Sequence, residues 1–302
     1  MAITTAQAVD TLDANLKEIW LDSGLASEKK EEYSVIFNVG TSEKQTERDS
    51  YMSGFGTMPA KSEGAPATYD TLYAGIKEEY THVTYALGYE ITEEAVEDNL
   101  YSPQTFDQLP QALNESAMET VETVSFNVLN NGFSTNGFDG VPLFSTSHPT
   151  LDGGTISNRP ATHVDLSVTS LTAAVTAFEK YTGERGLKRP SKPEVLLIPV
   201  DLWNIAEEIL KSDYKPYSGN NEVNALRSKN LRYFDSKFLT DTDAWFLLSG
   251  KSGHKLKFYW RVKLGALRRG NDFDTTNLKH LARMRFSVGY SHWMGTYGTS
   301  GG

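Results

Sequence analysis

The sequence contains no cysteine, which excludes disulfide staples, thiolate zinc sites, iron–sulfur clusters and a cysteine nucleophile. Burial and hydrogen bonding alone must then hold the fold, as suits a cytosolic origin. Nowhere do eighteen apolar residues follow one another, so a membrane-spanning helix is not expected. The first twenty residues carry Asp10, Asp13 and Glu18 and no apolar run, so they lack the form of an export signal. A soluble chain is expected.

Catalytic signatures are missing too. None of HExxH, GxGxxG or GxxxxGK[ST] occurs. The nearest approach, Ser249-Gly250-Lys251-Ser252-Gly253, lacks the first glycine at the spacing a phosphate loop needs and reads as a hairpin turn. His82, His148, His163, His254, His280 and His292 include no pair three or four residues apart, so no helical metal pair exists. Glu93 with Glu94, and Asp272 with Asp274, are neighbouring carboxylates in polar segments, where solvation is the ordinary state. Asp272-Phe273-Asp274 also lacks the remaining ligands and the glycine of a calcium loop. No catalytic, cofactor-binding or metal-ligating residue is assigned, and the chain reads as a protein that is not an enzyme.

What is present points to a globular chain with a real core. Hydrophobic residues make up 39% and aromatic residues 11% of 302 positions, too much apolar surface for disorder and enough for about two domains. The net charge of -10 is unevenly spread: residues 1–100 carry 19 acidic against 7 basic residues, and residues 201–302 carry 16 basic against 10 acidic. An acidic total argues against a protein built mainly to grip nucleic-acid phosphates. Opposite signs at the two ends suit attraction between copies of the chain, head to tail, or are ordinary drift of surface charge. The basic run from Lys251 to Arg285 places Phe258 and Trp260 opposite Lys257 and Arg261 in an alternating pattern, so these aromatics are expected in the core and not as platforms for bases.

Along the chain, Ala8, Leu12, Leu16 and Ile19 or Trp20 recur at helical spacing and predict a short amphipathic helix over 4–20. Residues 33–39 read as a strand and Thr41–Asp49 as loop. Four glycines and two prolines within 50–75 predict an extended excursion with a turn near Lys61–Pro66. From Thr81 strict alternation predicts a strand with Val83, Tyr85, Leu87, Tyr89 and Ile91 on one face, followed by a short helix after Thr92. Phe106, Leu109, Leu113, Ala117, Val121, Val124 and Val128 then predict a helix over about 104–130, roughly 40 Å long. Glu115, Glu119 and Glu122 are expected on its other faces, and Asn130, Asn131 and Gly132 to stop it. The Gly/Ser/Thr/Pro-rich connection 132–162 is expected to need a contact from outside. Beyond it come a helix with Leu171, Ala174, Val175 and Phe178, a buried strand Val195–Ile198, a helix capped by Asp201, and two long alternating strands that include Leu256–Val262 and Ala282–Tyr290.

The order of these elements resembles the major capsid proteins of tailed phages, the Hong Kong 97-type fold. Gly140–Thr150 (GVPLFSTSHPT), Gly153–Asn158, Val195–Leu210 and the closing RMRFSVGYSHWMGTYGTSG at 283–301 are similar to the major head subunit family of Mu-like phages. The resemblance implies an α+β chain with an N-terminal arm (1–48) and an extended β-hairpin loop (49–91) lying across a neighbouring subunit. It further implies a peripheral domain (92–165 and 255–302) holding the spine helix, and an axial α/β domain (166–254). It implies hexamers and pentamers that form an icosahedral head around double-stranded DNA held by non-specific contact only. A separate scaffolding protein, a portal and a decoration protein would be the partners, with no cofactor and no membrane. Assembly would occur in the bacterial host cytoplasm and the product would be the virion capsid. Lys61 lies near the loop tip, but with no matching Asn no cross-link is implied. Two alternatives stand beside this: an encapsulin-like nanocompartment shell, and a hydrolase or carbohydrate-binding protein using scattered histidines and carboxylates.

Overall fold

The computed structural model describes residues 15–23, 31–72, 74–97, 103–150, 153–183, 185–189, 191–216, 219, 222–272, 274–275 and 277–302. Residues 15–23 form helix α1, followed by helix α2 (Tyr33–Ile36), strands β1 (Asn38–Thr41), β2 (Thr46–Met52), β3 (Ala74–Thr81) and β4 (Val83–Ile91), and helices α3 (Glu93–Glu97) and α4 (Pro103–Asn130). Then come strands β5 (His148–Pro149) and β6 (Thr155–Ile156), helix α5 (Val168–Glu179), strand β7 (Pro193–Pro199) and helix α6 (Trp203–Lys211). Strands β8 (Arg232–Ser236), β9 (Trp245–Ser249), β10 (Leu256–Val262), β11 (Arg268–Asn271), β12 (Leu278–Tyr290) and β13 (Thr296–Thr299) complete the order. The chain divides into two units, one of residues 1–47, 81–125 and 258–288, the other of residues 48–80, 126–257 and 289–302.

In the first unit the sheet runs β1-β10-β12-β11, with β4 also paired to β12. Antiparallel register sets Leu278 against Ile91 and Phe286 against Val83. Alternation in β10 and β12 buries Leu256, Phe258 and Trp260 on one strand and Ala282, Met284 and Phe286 on the other, as the period-two spacing requires. Phe258 stacks on Phe286 with ring centroids 5.2 Å apart, and Trp260 meets Phe286 edge-on. The expected role of these aromatics as core holds. Helix α1 adds Leu16 to a cluster with Ile91 and Leu278, and Trp20 to a second with Leu113, Leu267 and Ala282. Ala8 and Leu12 of the expected helix lie outside the described residues.

Helix α4 spans 28 residues, about 42 Å at 1.5 Å per residue, and runs on through Pro110. Its buried side chains include Leu113, Val121, Phe126 and Leu129, so the inward stripe is rotated slightly from the sequence reading, which used Val124 and Val128. Glu122, expected on a polar face, is buried instead. Its Oε1 accepts from the Glu32 N–H at 2.7 Å and its Oε2 from the Tyr33 N–H at 2.9 Å. Those are the donors that a helix start leaves without partners, which explains why Tyr33–Ile36, expected as strand, coils into a helical turn before β1. Thr41–Asp49, expected as loop, is strand from Thr46 onward because it pairs with β3.

The second unit is built on the sheet β13-β9-β7-β8. Strands β7 and β8 run parallel, joined through α6, while β9 is antiparallel to β7. Their centre is a continuous apolar run, with Leu196–Ile198 and Trp245–Leu248 buried, as strands covered on both faces demand. Helix α5 lays Leu171, Ala174, Val175 and Phe178 inward. Asp201 sits in a short 3-10 turn before α6 and makes no cap bond, Leu202 holding the cap position. The Ser249–Gly253 turn joins strands of different sheets and so is not a hairpin.

The connection 132–162 also departs from expectation. Leu143 and Phe144 are fully buried in their own unit, Phe144 packing 5.1 Å from Phe246 between ring centroids. Asn158 accepts from Ser145 N–H at 2.8 Å and donates to the Leu143 carbonyl at 2.7 Å, while its oxygen lies 3.1 Å from His148 Nε2. Side-chain bonds and an inserted apolar pair do the work that regular structure would do, so this segment has its own anchor.

Candidate assembly surface

Strands β2 and β3 form a two-stranded ribbon whose connecting residues, 53–73, carry no helix or strand where described. At its base Asp49 Oδ2 meets Lys257 Nζ and Ser291 Oγ, each at 2.5 Å, and Ser291 Oγ lies 2.8 Å from Tyr80 Oη. Burial works against the Asp49 carboxylate, but Lys257 and Ser291 outweigh it and hold its pKa below the ordinary value. Arg48 and Glu79 pair on the ribbon at 2.7 Å.

Higher up, Arg185 pinches the two sides of the excursion together. Its Nη1 and Nη2 donate to Asp70 Oδ2 and Oδ1 at 2.7 and 2.9 Å, and Nη1 also reaches the Gly54 carbonyl at 3.2 Å. The backbone N–H of Gly56 donates to Asp70 Oδ2 at 2.9 Å. A bidentate fork of this kind fixes orientation as well as distance. The hydrogen bond from Arg185, then that from Gly56, hold the Asp70 carboxyl down at about 2.

Past this pinch the chain turns with Ala65 N–H donating to the Ser62 carbonyl, where the sequence placed the tip. Lys61 is exposed there. Met58 is 97% and Tyr69 94% exposed, and Phe55 and Leu72 are exposed as well. These apolar side chains sit on an extended segment that does not bury them itself. In the first unit, strand β4 leaves Val83 and Leu87 exposed beside a cavity of about 230 Å³ lined by Tyr85, Leu113, Ala117 and Met284. The strand forms as expected, but only Ile91 on its apolar face is fully buried.

The residues weighed for chemistry are not gathered into a site. Five histidines, 82, 148, 254, 280 and 292, are buried, His148 and His292 both packing on Trp293, and no cluster of three metal-binding side chains occurs among the described residues. His148 sits between Asp139, 2.6 Å from its Nδ1, and Asn158, and stacks on Trp293, an arrangement that anchors a loop. Glu93 and Glu94 are exposed in the first turn of α3. Asp272 pairs with Lys279 at 2.5 Å, which keeps its carboxyl below the ordinary range. Arg185 was missed in the sequence, since a partner 115 residues away leaves no mark in any periodic pattern.

A model of the phage capsid protein family matches residues 76–298. Among solved structures, that of Mycobacterium phage Patience is similar at a TM-score of 0.59 and 11% identity, covering 93% of this chain and 87% of that one. The capsid of bacteriophage JBD30 gives 0.55 at 13% identity, over 69% and 91% of the two chains. The capsid of cyanophage P-SCSP1u gives 0.53 at 12% identity, over 88% and 86%. No curated protein matches this chain. At such low identity the structures speak for the fold, and the family match, over well over half the chain, speaks for membership. The chain belongs to the phage capsid protein family: it is a structural, non-enzymatic major capsid protein with the Hong Kong 97-type fold.

Proposed function

We propose that this chain assembles with copies of itself into hexamers and pentamers, and these into an icosahedral head around double-stranded DNA. The carrying observation is the pinned excursion, which is ordered at its root and presents Met58 and Tyr69 to solvent. A neighbouring subunit would cover them, and that burial would stabilise the assembly. Residues 1–48 serve as the N-terminal arm, 49–91 as the extended loop, 92–165 with 255–302 as the peripheral domain and 166–254 as the axial domain. The β2–β3 ribbon supports the loop, and the sheet of β7, β8 and β9 with α5 and α6 supports the axial domain. Membership of the Mu-like branch rests on the sequence phrases alone. Assembly takes place in the bacterial host cytoplasm with a separate scaffolding protein, a portal and a decoration protein as partners.

The test is negative-stain microscopy and sedimentation of the expressed chain, alone and with its scaffolding protein. Shells, tubes or capsomers are expected, and the double variant Met58→Asp with Tyr69→Asp should leave folded, dispersed subunits. Wild-type chain that stays monomeric under every condition refutes the reading.

A further inference from the structure

The second unit holds a cavity of about 450 Å³ that the shell reading does not use. Arg189, Lys192 and Lys255 line it together with the hydroxyls of Ser191 and Ser252, and Glu194 is the one carboxylate among its described lining residues. Its volume lies within the usual range for small-ligand sites. The Ser249–Gly253 turn forms one wall and Gly295 another. That turn is the segment singled out in the sequence as an incomplete phosphate loop.

Two glycines of this lining pack tightly against their neighbours. A Cβ on Gly250 would stand 2.6 Å from a Glu194 carboxylate oxygen, and one on Gly295 would stand 2.7 Å from both the Gly253 carbonyl and Ser249 Oγ. Gly295 also has φ +82, in the region open to glycine. These glycines let Glu194, the turn and residue 295 pack closely, while the cations and hydroxyls of the cavity match the donors that phosphate oxygens accept. The positive field is felt locally: after burial itself, Lys251 and Lys255 are what push the adjoining His254 imidazole toward its neutral form.

We propose that this cavity is an anion site for phosphate groups, filled either by the phosphodiester backbone of duplex DNA or by a free polyphosphate. The site lies within a single unit of a single chain, so it stands or falls apart from any question of shell assembly.

The test is calorimetric titration of the dispersed full-length chain, in low salt, with tripolyphosphate and separately with a short random-sequence DNA duplex. Binding of either should weaken about tenfold in Lys192→Ala and in Lys255→Ala, and remain unchanged in Lys61→Ala. Glu194→Gln should bind a few-fold tighter, a gain that misfolding cannot mimic. Pocket-dependent binding of tripolyphosphate assigns free polyphosphate as a ligand, and pocket-dependent binding of the duplex alone assigns the nucleic-acid backbone. Absence of binding by either probe, or binding equal in wild type and in the Lys192→Ala/Lys255→Ala double variant, overturns the proposal.

Discussion

Glu122 offers a stability prediction whose sign is unusual for a carboxylate. It is 5% exposed, and its two oxygens accept the N–H groups that start α2. Burial raises its pKa from 4.5 to about 7, against the pull of the two N–H bonds and with help from the charges of Glu32 and Glu31. The folded protein therefore keeps a proton that the unfolded chain has released. From about 4.5 to about 7 the native state binds more protons, so stability falls as pH rises and no penalty remains below that window. At ~1.4 kcal/mol per pH unit the full loss is about 3 kcal/mol. His254 runs the other way: burial and then Lys251 and Lys255 lower its pKa from 6.5 to about 4, so its contribution is lost as pH falls through that window. The two nearly cancel in the wild type, and only a difference between variants separates them. In urea unfolding of wild type and Glu122→Gln from pH 5 to pH 8, the difference should shift by about 3 kcal/mol in favour of the variant as pH rises. The glutamine gives up one N–H acceptor, which offsets the whole curve by ~1 kcal/mol without altering its slope. His254→Asn should show the opposite slope. A difference for Glu122→Gln that is flat with pH would refute the reasoning.

Three further outcomes are expected. Arg185→Ala should speed tryptic cleavage at Lys61 several-fold while leaving the unfolding midpoint nearly unchanged, and exchanging the pair as Arg185→Asp with Asp70→Arg should restore protection; equal cleavage rates in all three would show that the fork pins nothing. Gly88→Ala puts a Cβ 2.4 Å from the His280 carbonyl on the paired strand, and should cost about 1–3 kcal/mol in denaturant melts. Asn158→Ala strands the Leu143 carbonyl, the Ser145 N–H and His148 together, and should cost about 3 kcal/mol; a loss below ~1 kcal/mol would mean that water replaces the amide without penalty.

The parts of the fold that could be read from the sequence are those governed by local periodicity. Helix α4 shows its boundaries because apolar residues recur every three or four positions over 28 residues, β10 shows its own through alternation, and β12 shows its end but begins at Leu278, four residues before the alternation read from Ala282. Tyr33–Ile36 could not be read, because the carboxylate that turns it into a helix lies 89 residues away from Tyr33. Thr46–Asp49 looked like loop because its residues are polar, yet ribbon strands exposed to solvent need no apolar face. The connection 132–162 looked unsupported because Asn158 and His148 are polar letters whose burial only the fold reveals. The turn of the excursion was readable from glycine and proline, whereas the fork of Arg185 and Asp70 was not.

That fork has a practical side. It makes the fourteen-residue separation between Gly56 and Asp70 behave as a nearly closed ring, and doubling the length of such a ring adds only about 0.6 kcal/mol of closure entropy. A peptide spliced between Glu63 and Gly64 should therefore go unnoticed by a melting curve. Under the microscope the same graft would tell whether subunits have room for a passenger where they meet, giving a handle that separates the capacity to fold from the capacity to join.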